Sequence, residues 1–209
     1  MQVAIVLYPG FTALDVIGPY EVLGRLPDTE VVFVAEQPGL VRNDLGSLSA
    51  DVVACLDDVP RPDMVIVGGG PGQAEQMSDG ALHTWLRTVD RTAAWTASVC
   101  TGALILAAAG VLDGRRATTH WGALEHLAEF GATPTNERVV IDGHYATAAG
   151  VSAGIDMALT LAGLIADHDV AQALQLLIEY APEPPYHAGS PNSAPAEVVE
   201  KLFTLFPSA

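Results

Sequence analysis

Two residues in this chain stand out as able to do chemistry. Cys100 stands between a short apolar β-type run, Ala93 to Val99, and an Ala/Leu-rich helical segment, Ala103 to Ala109. That order puts a thiol at a strand-to-helix corner, where the first helical turn leaves backbone N–H groups unpaired and the helix dipole is positive. Cysteines so placed have lowered pKa values and act as nucleophiles; a small buried apolar residue is the plainer alternative. Asp15 is the second. It sits among apolar neighbours in Thr12-Ala13-Leu14-Asp15-Val16-Ile17, near the start of a predicted helix, so it is either a solvent-facing helix-start acid or a carboxyl aimed into a pocket. Pattern alone favours the solvent-facing reading, although Gly18-Pro19, expected to break the helix just after it, suggests a backbone held for a purpose.

A third feature is Gly68-Gly69-Gly70-Pro71-Gly72, which ends the apolar run Met64 to Val67. Consecutive glycines after a buried strand can bring bare N–H groups to a sheet edge, so Gly69 and Gly70 are candidates for holding an anion or oxyanion, unless the stretch is only a flexible turn. The spacing fits neither a phosphate-binding loop nor a dinucleotide fingerprint. His120, in Ala117-Thr118-Thr119-His120-Trp121, could be a base, a pocket wall or a capping residue.

The elements that must carry these groups alternate. Apolar runs at Val3–Leu7, Glu30–Ala35, Met64–Val67 and Ala93–Val99 read as strands. Helical segments begin at Thr12 and span Asp79–Arg91, where Leu82, Trp85, Leu86 and Val89 repeat at helical spacing. Polar, Gly-punctuated residues from Val41 to Val53 suit a small hairpin, and Val139-Val140-Ile141, Asp142-Gly143 and Tyr145-Ala146-Thr147 suit another. Ala117 to Trp121 is expected to enter a helix ending near Phe130-Gly131, and further helices are expected at Ser152 to Ala166 and Asp169 to Tyr180, followed by a proline-rich tail, Ala181 to Pro191. The whole predicts an α/β doubly wound sheet with chemistry at the carboxyl ends of its strands, and no domain boundary is visible within 1–209.

Composition narrows the function classes. Twenty-five acids against nine bases leave a formal charge of −16, which repels phosphate backbones and argues against nucleic acid. Two cysteines, Cys55 and Cys100, cannot build a disulfide framework, and Cys55 reads as packing. No leader peptide and no run long enough for a membrane span is evident, so the expected location is cytoplasmic.

Taken together, Leu14-Asp15 with Gly18-Pro19, Gly69-Gly70, Ser98-Val99-Cys100-Thr101-Gly102, Ala117 to Trp121, Ala153-Gly154-Ile155-Asp156, and Glu179-Tyr180-Ala181-Pro182 through Gly189-Ser190-Pro191 resemble the DJ-1/PfpI superfamily. Within it the chain is most similar to the isonitrile (isocyanide) hydratases. The ligand-binding halves of AraC-type regulators share most of these motifs but add a C-terminal DNA-binding region of roughly a hundred residues, whereas this chain stops at Ala209. Gly68 replaces a proline common before the glycine pair, which is expected to leave that turn more flexible.

The resemblance implies a flavodoxin-like sandwich over 1–209, a nucleophile elbow at Cys100, and a small-molecule substrate with no metal or organic cofactor. It also implies a homodimer without membrane or nucleic-acid partners. Cys100 would attack an isocyanide carbon to give a thioimidate, Asp15 would move protons, and Thr101 would bond the sulfur or orient water. Gly69 and Gly70, with the Thr101 N–H, would stabilise negative charge, while His120, Trp121 and Val151 would wall the pocket. A glyoxalase- or deglycase-like enzyme, and a ligand- or redox-sensing protein, are the alternatives; a peptidase is disfavoured because Thr101 stands where peptidase members carry histidine.

Overall fold

In a computed structural model, residues 1–206 are described. They fall into two compact units, Met1–Ile178 and a second from Glu179 onward. The first is built on eleven strands: β1 (Gln2–Val6), β2 (Glu30–Ala35), β3 (Gly39–Arg42), β4 (Ser49–Val52), β5 (Ala54–Cys55), β6 (Met64–Val67), β7 (Trp95–Val99), β8 (Arg116–Ala117), β9 (Thr133–Pro134), β10 (Val139–Asp142) and β11 (Tyr145–Ala148). Its helices are α1 (Ala13–Leu23), α2 (Ala81–Asp90), α3 (Gly102–Ala108), α4 (Ala153–Ile165) and α5 (His168–Leu177).

Seven strands form one sheet in the order β10-β11-β7-β6-β1-β2-β5, every pairing parallel except β10 with β11. The central strands are buried along their lengths: Val3 to Val6 and Met64 to Val67 are at most 1% exposed. That burial is what a parallel sheet covered on both faces demands. Helix α2 lays Leu82, Trp85, Leu86 and Val89 into the core, each worth roughly 1.5–3 kcal/mol of apolar burial. The Trp85 indole N–H, which would otherwise be stranded there, donates to Val59 O at 3.0 Å.

Helix α1 packs on α4, and α4 on α5. Gly18 and Gly154 permit the first contact. A Cβ at Gly18 would come within 3.1 Å of Ile155 Cγ1, and one at Gly154 within 3.0 Å of Val99 and 3.3 Å of Pro19 Cδ. The expected break at Gly18-Pro19 does not occur, because α1 runs unbroken to Leu23 with Pro19 inside it. Proline removes one helical hydrogen bond there, and Pro19 and Gly18 form the face that α4 covers.

The apolar spacing of α1 points to Leu14, Ile17 and Val22 as its inward residues, and the structure keeps Val22 there but not Leu14. Leu14 is 41% exposed, whereas Asp15 is fully buried with Val16, Val22 and Leu23. The segment after His120 folds as successive 3-10 turns, Trp121–Phe130, rather than an α-helix. In the second unit, the sequence reading found the irregular proline-rich stretch but not α6 (Ala196–Leu205), an amphipathic helix that starts at Pro195.

Candidate functional site

Strands β1, β6 and β7 lie side by side, so their carboxyl ends deliver Tyr8, the glycine turn and Cys100 to one edge of the sheet. Cys100 follows Val99 directly and has φ +57°, one of three non-glycine residues with positive φ among those described. A non-glycine residue held in that region costs on the order of 1–3 kcal/mol and persists only when its surroundings hold it there. Here the Cys100 N–H donates to Ala148 O at 3.0 Å, and its carbonyl accepts from Thr119 Oγ1 at 2.7 Å. Gly102 closes the elbow onto β6: a Cβ there would stand 2.0 Å from Val67 O.

Asp15 reaches the thiol from α1. Its Oδ2 accepts from the Gly69 N–H at 2.9 Å, while Oδ1 is buried without a well-formed hydrogen bond. Burial raises the carboxyl to a pKa of about 7, against the pull of the Gly69 N–H and of a weak contact with the Cys100 thiol. The Asp44 carboxylate adds to the rise. Cys100 is pushed up as well, first by burial and then by the negative charge on Asp15, although the Thr101 N–H and side chain favour its anion. The lowered thiol pKa expected from the helix start is therefore not what the structure gives, because dehydration and a neighbouring carboxylate outweigh a seven-residue helix. Two acids this close cannot both ionise at neutral pH, so the thiolate exists where the carboxyl holds the shared proton.

The glycine turn has a different job from the one its sequence suggests. The Gly69 N–H is occupied by Asp15, and the Gly70 N–H donates to Thr101 Oγ1 at 3.1 Å. Both donors therefore have partners within the protein, the carboxyl for one and the threonine for the other. Thr101 Oγ1, accepting from Gly70, keeps its own proton to donate toward the sulfur. Nor is the turn loosened at Gly68, whose Cβ position would lie 3.1 Å from Val16 and 3.2 Å from the Asp15 Cβ. Glycine there serves the close approach of α1.

His120, Trp121 and Val151 are half-buried on segments adjoining the elbow: residue 119 bonds Cys100 O, and the Cys100 N–H bonds the carbonyls of 148 and 149. His120 caps the turn that follows, its Nδ1 accepting from the Gly122 N–H at 3.3 Å, and burial lowers its pKa. Its ring lies 5.5 Å from that of Trp121 and rests on Gly150, where a Cβ would be 2.4 Å from His120 Cδ2. Among the described residues, no group of three or more His, Cys, Asp or Glu side chains is arranged to hold a metal.

A further neighbour of the pair is Tyr8, the residue directly after the apolar run Val3–Leu7, where nothing in the sequence pattern marks it. It is 3% exposed, and its phenol donates to Gly68 O at 2.7 Å. Burial raises its pKa, and the charges of Asp15 and Cys100 raise it further, which places its oxygen within electrostatic reach of both.

This arrangement can be set against known proteins. The model of the DJ-1/PfpI family matches residues 1–163. The chain belongs to that family. It is 42% identical over 201 residues to an isonitrile hydratase of Pseudomonas putida, a match covering 96% of this chain and 88% of that protein. It is 34% identical over 164 residues to the HTH-type transcriptional regulator CdhR of Pseudomonas aeruginosa, covering 74% of this chain and 48% of the regulator. Among solved structures, a ThiJ/PfpI family protein from Pseudomonas syringae superposes with a TM-score of 0.95 at 36% identity, over 99% of this chain and 86% of that one. DJ-1beta of Drosophila melanogaster shares the fold at a TM-score of 0.77 and 22% identity, over 87% of this chain and 98% of that one.

Proposed function

We propose that this DJ-1/PfpI protein hydrates isocyanides to N-substituted formamides, with Cys100 as nucleophile and Asp15 as proton carrier. The observation that carries the reading is the pairing of a buried thiol with a buried carboxyl whose pKa lies about 7. The similarity to an isonitrile hydratase over nearly the whole chain supports it.

An isocyanide is electrophilic at its terminal carbon and has no leaving group. Hydration therefore needs a nucleophile, a proton for the carbon and then water. In the productive state the shared proton sits on Asp15 and the sulfur is an anion, favoured by the Thr101 N–H and hydroxyl. The sulfur attacks the terminal carbon while Asp15 protonates it, forming a C–S and a C–H bond and giving a thioimidate. Asp15, now a carboxylate, takes a proton from water as the oxygen adds to that carbon and passes it to the imine nitrogen. The tetrahedral adduct collapses by breaking the C–S bond as its hydroxyl proton passes to Asp15, which releases the formamide and returns the thiolate beside a protonated carboxyl. One isocyanide and one water are consumed. The Gly69 and Gly70 N–H groups hold Asp15 and Thr101 in place through these steps.

All of these groups lie within Met1–Ile178, and we take 1–209 as one functional domain that works as a homodimer in the cytoplasm. The charge of −16 supports a small-molecule partner rather than nucleic acid. Purified protein should convert an aryl or alkyl isocyanide to its formamide, and Cys100→Ala should lose turnover by at least about a thousandfold while keeping its fold. Lactate formed from methylglyoxal with no isocyanide consumed would decide instead for a glyoxalase-like enzyme. Facile oxidation of Cys100 with turnover of neither substrate would point to a sensor.

A further inference from the structure

The glycine turn contains two consecutive peptide groups, and each is held at both ends. The group joining Gly69 to Gly70 accepts from the Thr12 N–H at 2.8 Å through its carbonyl and donates to Thr101 Oγ1 through its N–H. The group joining Gly68 to Gly69 accepts from the Tyr8 phenol at 2.7 Å and donates to Asp15 Oδ2 at 2.9 Å. We propose that Tyr8 is a positioning residue for Asp15: its hydroxyl and the Asp15 carboxyl grip opposite ends of one peptide group, so the phenol sets the direction and strength of the N–H that holds the carboxyl.

The physical basis is the peptide bond itself. Because the carbonyl and N–H share one rigid plane, a donor that fixes the oxygen also aims the hydrogen. A hydrogen bond accepted by the carbonyl also polarises the amide and makes its N–H a stronger donor, so bonds in such a chain reinforce one another. The chain runs phenol, carbonyl, N–H, carboxylate, through groups that are almost wholly buried, where little water competes. A Cβ at Gly69 would collide with the Thr101 N and Oγ1 at 2.5 Å, so no side chain at that position can brace the peptide plane, and its own hydrogen bonds carry that task. Tyr8 follows β1 by two residues, and the pairing of Val6 with Val67 sets it beside Gly68.

The catalytic consequence rests on the hydratase reading, but the positioning itself can be read without turnover. The test uses Tyr8→Phe and a second protein carrying a fluorotyrosine at position 8, both in a Cys55→Ser background. The measurement is the pH dependence of Cys100 alkylation by iodoacetamide, followed by peptide mass spectrometry, alongside kcat and KM for isocyanide hydration.

Removing the hydroxyl weakens the Gly69 N–H as a donor and disfavours the Asp15 carboxylate, so the alkylation profile should move to higher pH by at least about half a unit. The more acidic fluorophenol donates more strongly and should move it the other way. In turnover, kcat should fall in Tyr8→Phe with little change in KM. Shifts of both proteins in the same direction, or of neither, would overturn the proposal; if Tyr8→Phe does not fold, an unmoved profile in the fluorotyrosine protein does so alone. Opposite alkylation shifts in a protein that hydrates no isocyanide would leave the positioning intact and sink the hydratase reading.

Discussion

At the level of single residues, everything depends on one proton held between Cys100 and Asp15. A carboxyl raised from an ordinary acid value to about 7 has a thermodynamic signature. The folded chain binds that proton more tightly than the unfolded chain, so its contribution to stability is complete below the unfolded carboxyl pKa. It is lost as pH rises through about 7, a swing on the order of 4 kcal/mol. Asp15→Asn removes this dependence, so the variant should gain stability relative to the wild type as pH rises from 4 to 8, by about this order, in urea titrations at each pH. The same substitution should cut kcat by roughly 10²–10⁴-fold, because an amide cannot carry the proton. In the wild type, kcat/KM for an isocyanide should rise with pH through about 7 as the pair loses its first proton, and decline again where the second is lost.

The sequence made this pair visible only in half. Cys100 announces itself at a strand-to-helix corner, but Asp15 lies in a helix whose apolar spacing points to Leu14 as the inward residue. The turn of α1 against α4, set by Gly18, Pro19 and Gly154, reverses that and buries the acid. Burial is also why the thiol pKa moves opposite to the dipole argument, since a local motif cannot report how much water the fold removes. Tyr8 left no trace in the pattern, because its role follows from the pairing of β1 with β6 across sixty residues.

At the level of elements, the glycine turn after β6 is a clamp that spaces α1 from the elbow. Gly69→Ala would set a Cβ 2.5 Å from both the Thr101 N and Oγ1, and a backbone atom cannot swing aside as a side chain can. That variant should keep its far-UV circular dichroism but lose at least about tenfold in kcat/KM as Thr101 is displaced from the sulfur. Thr119→Val leaves the carbonyl of the strained Cys100 without its 2.7 Å donor, and should cost about 1–3 kcal/mol in denaturant unfolding. Most of these elements were legible in the sequence, since buried valine-rich strands and the α2 stripe have clear periods. The 3-10 turns after His120 were not. Their apolar residues suit either winding, and spacing over so short a stretch does not separate 3-10 from α.

At the level of the whole molecule, the order β10-β11-β7-β6-β1-β2-β5 puts three carboxyl ends, those of β1, β6 and β7, next to one another at the middle of the sheet. The placement of Tyr8, the glycine turn and Cys100 along one edge is a product of that topology. Alternation of strands and helices is enough to anticipate the glycine turn and Cys100 there, though not Tyr8, and α6 is read past despite Val198, Val199, Leu202 and Phe203 at helical spacing, because it follows directly on the proline-rich stretch. The proposed homodimer should sediment as a single two-chain species at micromolar concentration, and a one-chain species there would remove that part of the proposal.

The central claim is that an isocyanide passes through a covalent bond to Cys100. Rapid quenching of wild-type protein during turnover of an aryl isocyanide, followed by peptide mass spectrometry, tests it most directly. The account predicts that the Cys100 peptide gains the mass of one isocyanide and that the adduct disappears as formamide accumulates. Formamide produced at an undiminished rate by Cys100→Ala, or turnover with no adduct at that sulfur, would contradict it.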